Sequence, residues 1–456
     1  MAAFAAGDPV AAEQAFRAAV QASPGDTAAW NNLATALVSQ DRSAEAAAAL
    51  GRSLDIDPDQ PTAWTALAAA SLTNGSLETA EAACAASLAL KPDDADVWRI
   101  RALVLTRQED FEGASQAYAQ VSQLEGESAE VCLQHGVALL KCGRFAEASE
   151  RIDRCAALDP EGDARREIKP ICDLIGVALD AGADAVDASA AAALAAAAPD
   201  GDRMFKAAFL YLANFGHGEA AARVADAWVA RFPDDIEAAH LRDATSTRVA
   251  ERQPEALVAQ HFDAMAEDFD ERLVQRLGYR GPERFEALLA AHIPAEGRLE
   301  VFDLGCGTGL CARVLRPYAR WLEGIDLSPL MIEKARKRGL YDRLEEDDLV
   351  AALEGQVSRW SLLLAADTLP YLGDLEPLFG AAARALLPGG WFAFSTEDVE
   401  GGAYLLKPNG RYGHGRPYVE QVMAGRFEIR AHETGVLRRE GGREVPGAYY
   451  LLRRLA

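Results

Sequence analysis

Apolar positions in the first half of the chain fall at helical intervals. Trp30, Leu33, Ala34 and Leu37 are followed by Ala46, Leu50 and Leu54, a spacing of three and four residues that turns one face of each helix toward a core. The pattern then repeats at a fixed offset. Trp30, Trp64 and Trp98 stand 34 residues apart with Cys132 continuing the series; Ala46, Ala80, Ala114 and Ala148 keep the same register, as do Pro58, Pro92 and Pro160. Two apolar stripes per period predict a pair of antiparallel helices in each unit, with neighbouring units stacked to bury a continuous seam. At their spacing the tryptophans are expected to pack in that core. The interval from Ala12 to Pro24 and from Ala46 to Pro58 returns late as Ala221 to Pro233. Pro199 to Pro233 restores the 34-residue period, whereas Pro160 to Pro199 is 39 residues, which points to a short insertion around Gly162 to Pro170. An all-α array is therefore expected over residues 1–245. The alanine-rich run Ala191–Ala198 is in register with Pro199 and is expected to be helical.

Periodicity lapses between Thr245 and Gln253, and Pro254 opens a new helical pattern in which Phe262, Met265 and Phe269 share a face. A turn over Leu277–Pro282 leads to a second helix, Glu283 to His292. From Val301 onward short apolar runs alternate with helical stretches. Val301–Leu304, Trp321–Asp326 and Leu344–Leu349 read as strands, and the nearly all-apolar Ser361–Asp367 as the central strand that a buried parallel sheet requires. Pro388-Gly389-Gly390 turns into a fifth strand through Ser395, and two closing strands are expected at about Phe427–Thr434 and Ala448–Arg453. Strands alternating with helices make residues 246–456 an α/β domain, and the whole chain a multidomain protein.

Half of the 456 residues are apolar, and the formal net charge is −24. Residues 1–250 hold 20 Lys+Arg against 38 Asp+Glu (−18), and the remainder holds 26 against 32 (−6). Such a surface repels phosphate backbones, so no nucleic-acid partner is expected, and a basic protein surface suits the array better. No apolar run approaches the ~18 residues of a membrane-crossing helix, and the start carries Asp8 and Glu13 in place of a basic leader. No membrane partner is expected, and the expected location is cytoplasmic. Seven scattered cysteines without a C-x-x-C pair or accompanying histidines give no reason to expect a metal site or a disulfide framework.

The chemistry-bearing stretch is Val301-Phe302-Asp303-Leu304-Gly305-Cys306-Gly307-Thr308-Gly309-Leu310. A strand ending in an acid, then glycines at every second position, strips side chains from the turn and leaves a pocket for a nucleoside-bearing cofactor. The dinucleotide fingerprint wants a glycine where Leu310 stands, and a phosphate loop wants a Gly-Lys-Ser/Thr that does not follow. Asp326 ends the next strand 21 residues past Gly305, where its carboxylate can accept both ribose hydroxyls.

Two resemblances follow. The array resembles the tetratricopeptide repeat in its Trp, Leu-Ala, Ala and Pro positions, closely over 27–94, more loosely over 95–160 where Gly126 replaces a proline, and weakly over 161–245. That implies a solenoid whose groove holds a peptide or a protein surface. Asp303 with Gly-Cys-Gly-Thr-Gly, the acid of strand two, the acid-Leu pair Asp348-Leu349, the apolar fourth strand and Pro388-Gly389-Gly390 together resemble class I S-adenosylmethionine-dependent methyltransferases over residues 255–456. The resemblance implies a Rossmann-like seven-stranded sheet with its last strands antiparallel. It implies S-adenosyl-L-methionine as cofactor, with Asp303, Gly305, Gly307 and Gly309 at the methionine part, Asp326 and Leu327 at the ribose, and Asp348 and Leu349 at the adenine. Asp367 and His261 would close over it. A repeat array fused in front of such a domain is similar to bacterial predicted methyltransferases of uncharacterised substrate.

Acceptor-side candidates follow strand five: Tyr404, Lys407, then Arg411, Tyr412 and His414 bracketed by glycines. An arginine, a tyrosine and a histidine so close together suit binding a carboxylate and deprotonating an acceptor. His414 is the expected base or orienting group and Arg411 the anion clamp; an ordinary glycine-rich surface loop is the alternative. Asp367-Thr368-Leu369-Pro370-Tyr371-Leu372 follows strand four in place of an Asn/Asp-Pro-Pro-Tyr stretch, which counts against methylation of adenine amino groups. The expected function is methyl transfer to a small-molecule or protein acceptor, with the array docking a partner or the substrate. The alternative is an interaction scaffold whose C-terminal domain is a sensor or is inactive.

Overall fold

The computed structural model describes residues 8–162, 167–180, 186, 201–245, 250–401, 403–440 and 443–456. The expected helix over Ala191–Ala198 lies outside the described residues, as does part of the expected insertion. The chain forms two compact units, Met1–Phe215 and Gly216–Ala456, where the repeat pattern alone would put the junction near 245.

In the first unit paired helices follow the sequence period: Thr27–Val38 with Ser43–Ile56, Pro61–Thr73 with Leu77–Leu90, Ala95–Arg107 with Phe111–Glu125, and Ala129–Lys141 with Phe145–Leu158. Ala46, Ala80, Ala114 and Ala148 are fully buried at the crossing of each pair, where a larger side chain would force the helices apart. Leu33, Leu37, Leu50, Leu54 and Leu67 pack into one seam. Trp30, Trp64 and Trp98 are only half-buried, because each ring has a second task. Their indole Nε1 atoms donate to the carbonyls of Pro24, Pro58 and Pro92 at 2.9, 2.8 and 2.9 Å, pinning the turn that precedes each pair. Trp64→Phe keeps an aromatic ring, though a smaller one, and drops one such bond, and urea denaturation should register a loss of at least about 0.5–1.5 kcal/mol. No change would show that this bond is idle.

The second unit begins with helices Gly218–Arg231 and Ile236–Asp243 and continues into a sheet. Its strands are β1 (Leu299–Leu304), β2 (Ala319–Asp326), β3 (Arg343–Glu346), β4 (Trp360–Ala365), β5 (Leu386–Asp398), β6 (Tyr404–Leu406), β7 (Tyr412–His414), β8 (Phe427–Glu440) and β9 (Arg443–Arg454). The main path runs β3-β2-β1-β4-β5-β9-β8, with β9 antiparallel to β5 and to β8. This is the expected seven-stranded sheet with antiparallel closing strands. Two further strands make nine: β6 and β7 form a hairpin attached to the end of β5 through Glu397↔Gly413 and Asp398↔His414. At three residues each they are too short to show a period of two.

Other boundaries moved for local reasons. β3 ends at Glu346, before the expected Leu349, because the Asp348 side chain accepts from Val350 N and Ala351 N and starts a short helix, Leu349–Leu353. Pro388-Gly389-Gly390 lies within β5 as a bulge, between the pairs Trp360↔Leu386 and Leu362↔Trp391. Val301, Leu362 and Leu364 face one core layer, and Phe302 and Leu363 the other, so the sheet is covered on both sides. The strand order changes direction between β1 and β4, and the carboxyl ends of these strands border the crevice where α/β folds bind ligands.

Candidate active site

The turn after β1 is built from glycines in the left-handed region: φ is 72° at Gly305, 54° at Gly307 and 84° at Gly309. A Cβ on Gly305 would come within 2.6 Å of the Thr368 side chain, whose hydroxyl donates to Leu304 O at 3.1 Å. That close approach ties the loop after β4 to the turn. A Cβ on Gly307 would meet nothing within 4 Å, so the turn is open on that side. Asp326, at the end of β2, holds the turn in place by accepting from Gly307 N at 2.8 Å and from Ser328 N at 2.9 Å. Burial pushes its carboxyl up to about 6, against the backbone N–H groups that favour the charge. Leu327 is half-buried beside it, and Leu349 is buried at the start of the short helix after β3.

Asp303 lies beneath the turn, 1% exposed, and its only hydrogen-bond donor among the described residues is the Tyr341 hydroxyl at 2.6 Å. Burial pushes its carboxyl up to about 7, more than the hydrogen bond from Tyr341 lowers it, and Asp326 adds to the rise. A proton is therefore held in the folded state and released on unfolding between the ordinary value of 3.8 and about 7. Stability falls as pH rises through that window and stays reduced above it. Asp303→Asn should remove this component: melting temperatures measured from pH 4.5 to 8 should decline less with pH in the variant than in the parent. Parallel pH profiles would contradict it.

The helix Glu255–Met265 and the turn after it lie over this site. Asp263 accepts from the Ser328 hydroxyl and from Leu330 N, Asp270 accepts from the Thr308 hydroxyl and from Arg338, and the Lys334 ammonium donates to Glu267 O. Phe262 packs edge-on against Tyr371 at 5.3 Å. The segment therefore covers the crevice from the glycine turn to the loop after β4. The side chain of Asp348, 8% exposed, accepts from Arg252 as well as from its two helix N–H groups.

At the carboxyl ends of β4 and β5 a cluster of charges gathers around the buried Glu397 and Arg438. Arg438, at the far end of β8, pairs with Asp367 at 2.8 Å, with Glu440 at 2.7 Å and with Glu397. Lys407 also pairs with Glu397, and Arg411 with Glu440 and, at 3.6 Å, with Glu397. Three cations match three carboxylates, which is how charge survives out of water. Burial works against ionisation of Glu440, yet Arg411 and Arg438 beside it hold its carboxyl at about 2. Asp367 follows β4 at φ 54°, a conformation that non-glycine residues rarely adopt. Its carboxyl is raised by burial despite Arg438 and Arg411. The Arg411 guanidinium also lies 5.9 Å from the centre of the Tyr371 ring.

Arg411 and Asp367 thus meet in one cluster, and Tyr412 and His414 do not join them. The Tyr412 hydroxyl donates to Ala250 O at 2.9 Å. His414, 1% exposed, hydrogen-bonds through Nε2 to Leu372 O at 2.8 Å and Gly373 O at 3.2 Å, while its Nδ1 has no partner among the described residues. Burial lowers this imidazole to about 4, although the two carbonyls favour its protonated form.

A family model described as a methyltransferase domain matches residues 259–427. The C-terminal part of the chain is a methyltransferase domain. A tetratricopeptide-repeat model matches residues 3–53 and 37–104, so such repeats stand on the N-terminal side. The ubiquinone biosynthesis O-methyltransferase of Thiobacillus denitrificans is 31% identical over 120 residues, 25% of this chain and 50% of that protein. The biotin biosynthesis bifunctional protein BioHC of Saccharophagus degradans is 26% identical over 210 residues, 43% of this chain and 36% of that protein. The chain thus spans half or less of the length of these curated relatives. Among solved structures, an S-adenosylmethionine dependent methyltransferase from Mesorhizobium loti is 24% identical with a TM-score of 0.29, covering 37% of this chain and 96% of that one.

In the second unit, Glu397, Arg438 and Glu440 carry contacts that sequence reasoning did not single out, and it did not foresee the partners of Asp263, Asp270 and Arg338. Asp263 and Asp270 stand in the segment whose apolar face was legible, but no spacing rule links position 263 to 328 or 270 to 338. Arg438 is one basic residue among several near the end of the chain; only the β8–β9 pairing carries it to Asp367. No helix among the described residues is long and apolar enough to cross a membrane.

Proposed function

We propose that the methyltransferase domain uses S-adenosylmethionine to methylate an acceptor oxygen at the carboxyl ends of β4 and β5, and that the repeats dock a protein partner or the substrate itself. The observation that carries the cofactor assignment is the turn after β1: three left-handed glycines, open above Gly307, at the point where the strand order reverses. The residues present fit this cofactor. Asp326 spends two of about four lone-pair directions on Gly307 and Ser328, which leaves the others for ribose hydroxyls. Leu327 and Leu349 offer apolar surface to a base, and Asp348 a carboxylate to its amino group. The oxygen acceptor is supported by the O-methyltransferases among the relatives.

S-adenosylmethionine, when bound, supplies a methyl group already activated on a sulfonium. What falls to the chain is alignment, for which up to about 7–11 kcal/mol is accessible, and control of the acceptor proton. The segment from Asp263 to Asp270 excludes water from the crevice. Asp367 is our candidate proton acceptor, because burial makes its carboxylate more basic than usual and it stands beside Thr368, which touches the glycine turn. Arg411 steadies negative charge next to it. Tyr412 and His414 act at one remove, by fastening the segment of residues 250–253 at Ala250 and the loop after β4. Calorimetry with S-adenosylmethionine tests the cofactor assignment, and transfer of a tritiated methyl group into cell extract tests the activity. Absence of binding at millimolar cofactor would leave the interaction-scaffold alternative.

A further inference from the structure

Residues 250–253 cross the carboxyl ends of the strands as a strap. Ala250 O accepts from the Tyr412 hydroxyl, Glu251 O accepts from Gly373 N and Asp374 N at 2.8 Å each, Arg252 forms an isolated antiparallel bridge with Leu372, and Gln253 N donates to Tyr371 O at 3.0 Å. From this strap the Arg252 guanidinium reaches the other side of the crevice. Its Nη2 donates to Asp348 Oδ2 and stands 3.3 Å from Glu255. The other oxygen of Asp348 is occupied by Val350 N and Ala351 N at 3.0 Å each, so both oxygens are fixed in direction. Burial would raise this carboxyl, yet Arg252 and the helix N–H groups hold it below the ordinary value, ionised and able only to accept.

Two further polar atoms on the strap, Arg252 Nε and Gln253 Oε1, are buried and have no hydrogen-bond partner among the described residues. Buried polar atoms are ordinarily paired. One donor and one acceptor left open match a purine edge, which sets a donor beside an acceptor, and the ionised carboxylate next to them, able only to accept, favours the amino group of adenine.

We propose that Arg252 is a specificity-determining residue of the cofactor site: by fixing Asp348 toward the 6-amino group it makes the site select adenine over hypoxanthine. This rests on the S-adenosylmethionine assignment. The strap that fastens the acceptor-side loop is then also part of the adenine wall, so both halves of the crevice are ordered by the same four residues.

The test is calorimetry on the full chain with 5′-methylthioadenosine and 5′-methylthioinosine, for the parent, Arg252→Ala and Arg252→Lys. The inosine probe presents a carbonyl where adenine has its amino group, and so sets one acceptor against another. A site built to hydrogen-bond a group rejects an analogue lacking it strongly, and the parent should prefer the adenine nucleoside by about 10²-fold or more. Arg252→Ala should bring that ratio below about tenfold, and Arg252→Lys should restore part of it, as expected where an ammonium on a flexible stem replaces one N–H of a planar guanidinium. An unchanged ratio in Arg252→Ala overturns the proposal whatever the absolute affinities, because an arginine with a merely structural role would weaken both probes alike. Should the alanine variant not fold, Arg252→Gln carries the same expectation. A parent that binds S-adenosylmethionine without preferring either nucleoside overturns this proposal alone; a parent that binds none of the three overturns the cofactor assignment and this proposal with it.

Discussion

Gly307→Val is expected to abolish S-adenosylmethionine binding while leaving the methyltransferase domain folded. A Cβ at this position meets no protein atom within 4 Å, so the added side chain points into the open side of the turn, where the cofactor is assigned. Gly305 behaves differently, because a side chain there must displace Thr368 and with it the loop after β4. At φ 54° a valine is strained, at a cost of about 1–2 kcal/mol and somewhat more for a branched side chain. For a unit of this size that corresponds to a fall in melting temperature of roughly 2–8 °C. Calorimetry should therefore register no heat at cofactor concentrations that saturate the parent, with the folded fraction unchanged at room temperature. Full affinity in a folded variant would sink the assignment of this turn.

Asp367→Asn is expected to lower the rate of methyl transfer by about 10²- to 10⁴-fold, the usual worth of a positioned general base, with little change in affinity for S-adenosylmethionine. The substitution suits the backbone, since asparagine tolerates the left-handed region better than most residues. It also leaves Arg438 paired with Glu397 and Glu440, Lys407 with Glu397 and Arg411 with Glu440, so each cation of the cluster keeps a carboxylate partner. What it removes is a carboxylate able to take a proton. The burial that raises the Asp367 carboxyl also shifts the acid limb of the rate profile upward from where an ordinary aspartate would put it. Labelled-methyl transfer into extract, followed against pH, checks both statements. Unimpaired turnover in the asparagine variant would move the proton-accepting role elsewhere or dispense with it, while a loss of cofactor affinity as large as the loss of rate would give Asp367 to the cofactor side.

His414 shows how proximity in sequence and proximity in space part company among the acceptor-side candidates. Arg411, Tyr412 and His414 lie within four residues, but successive side chains of an extended segment point to opposite faces. The pleat sends Arg411 to the charge cluster and His414 to the carbonyls of Leu372 and Gly373. The position of Glu397, 0% exposed near the end of β5, likewise makes sense only once Lys407 and Arg411 arrive around it from the β6–β7 turn and Arg438 from β8.

What the sequence determined by itself was everything governed by local periodicity and backbone sterics. The 34-residue recurrence of tryptophan, alanine and proline specified paired helices, because each unit must bury the same stripe against the next. The all-apolar runs specified strands covered on both faces, and the alternate glycines after Asp303 specified a turn that only residues without a Cβ adopt comfortably. Tertiary structure decided which distant polar groups meet. The clasp of Asp263 on Ser328, the reach of Arg252 to Asp348 and the convergence of Arg438 on Asp367 span from 65 to 96 residues of chain. Charged side chains carry no periodic signal of their partners, and they pair wherever packing of the apolar faces leaves buried charge to be neutralised.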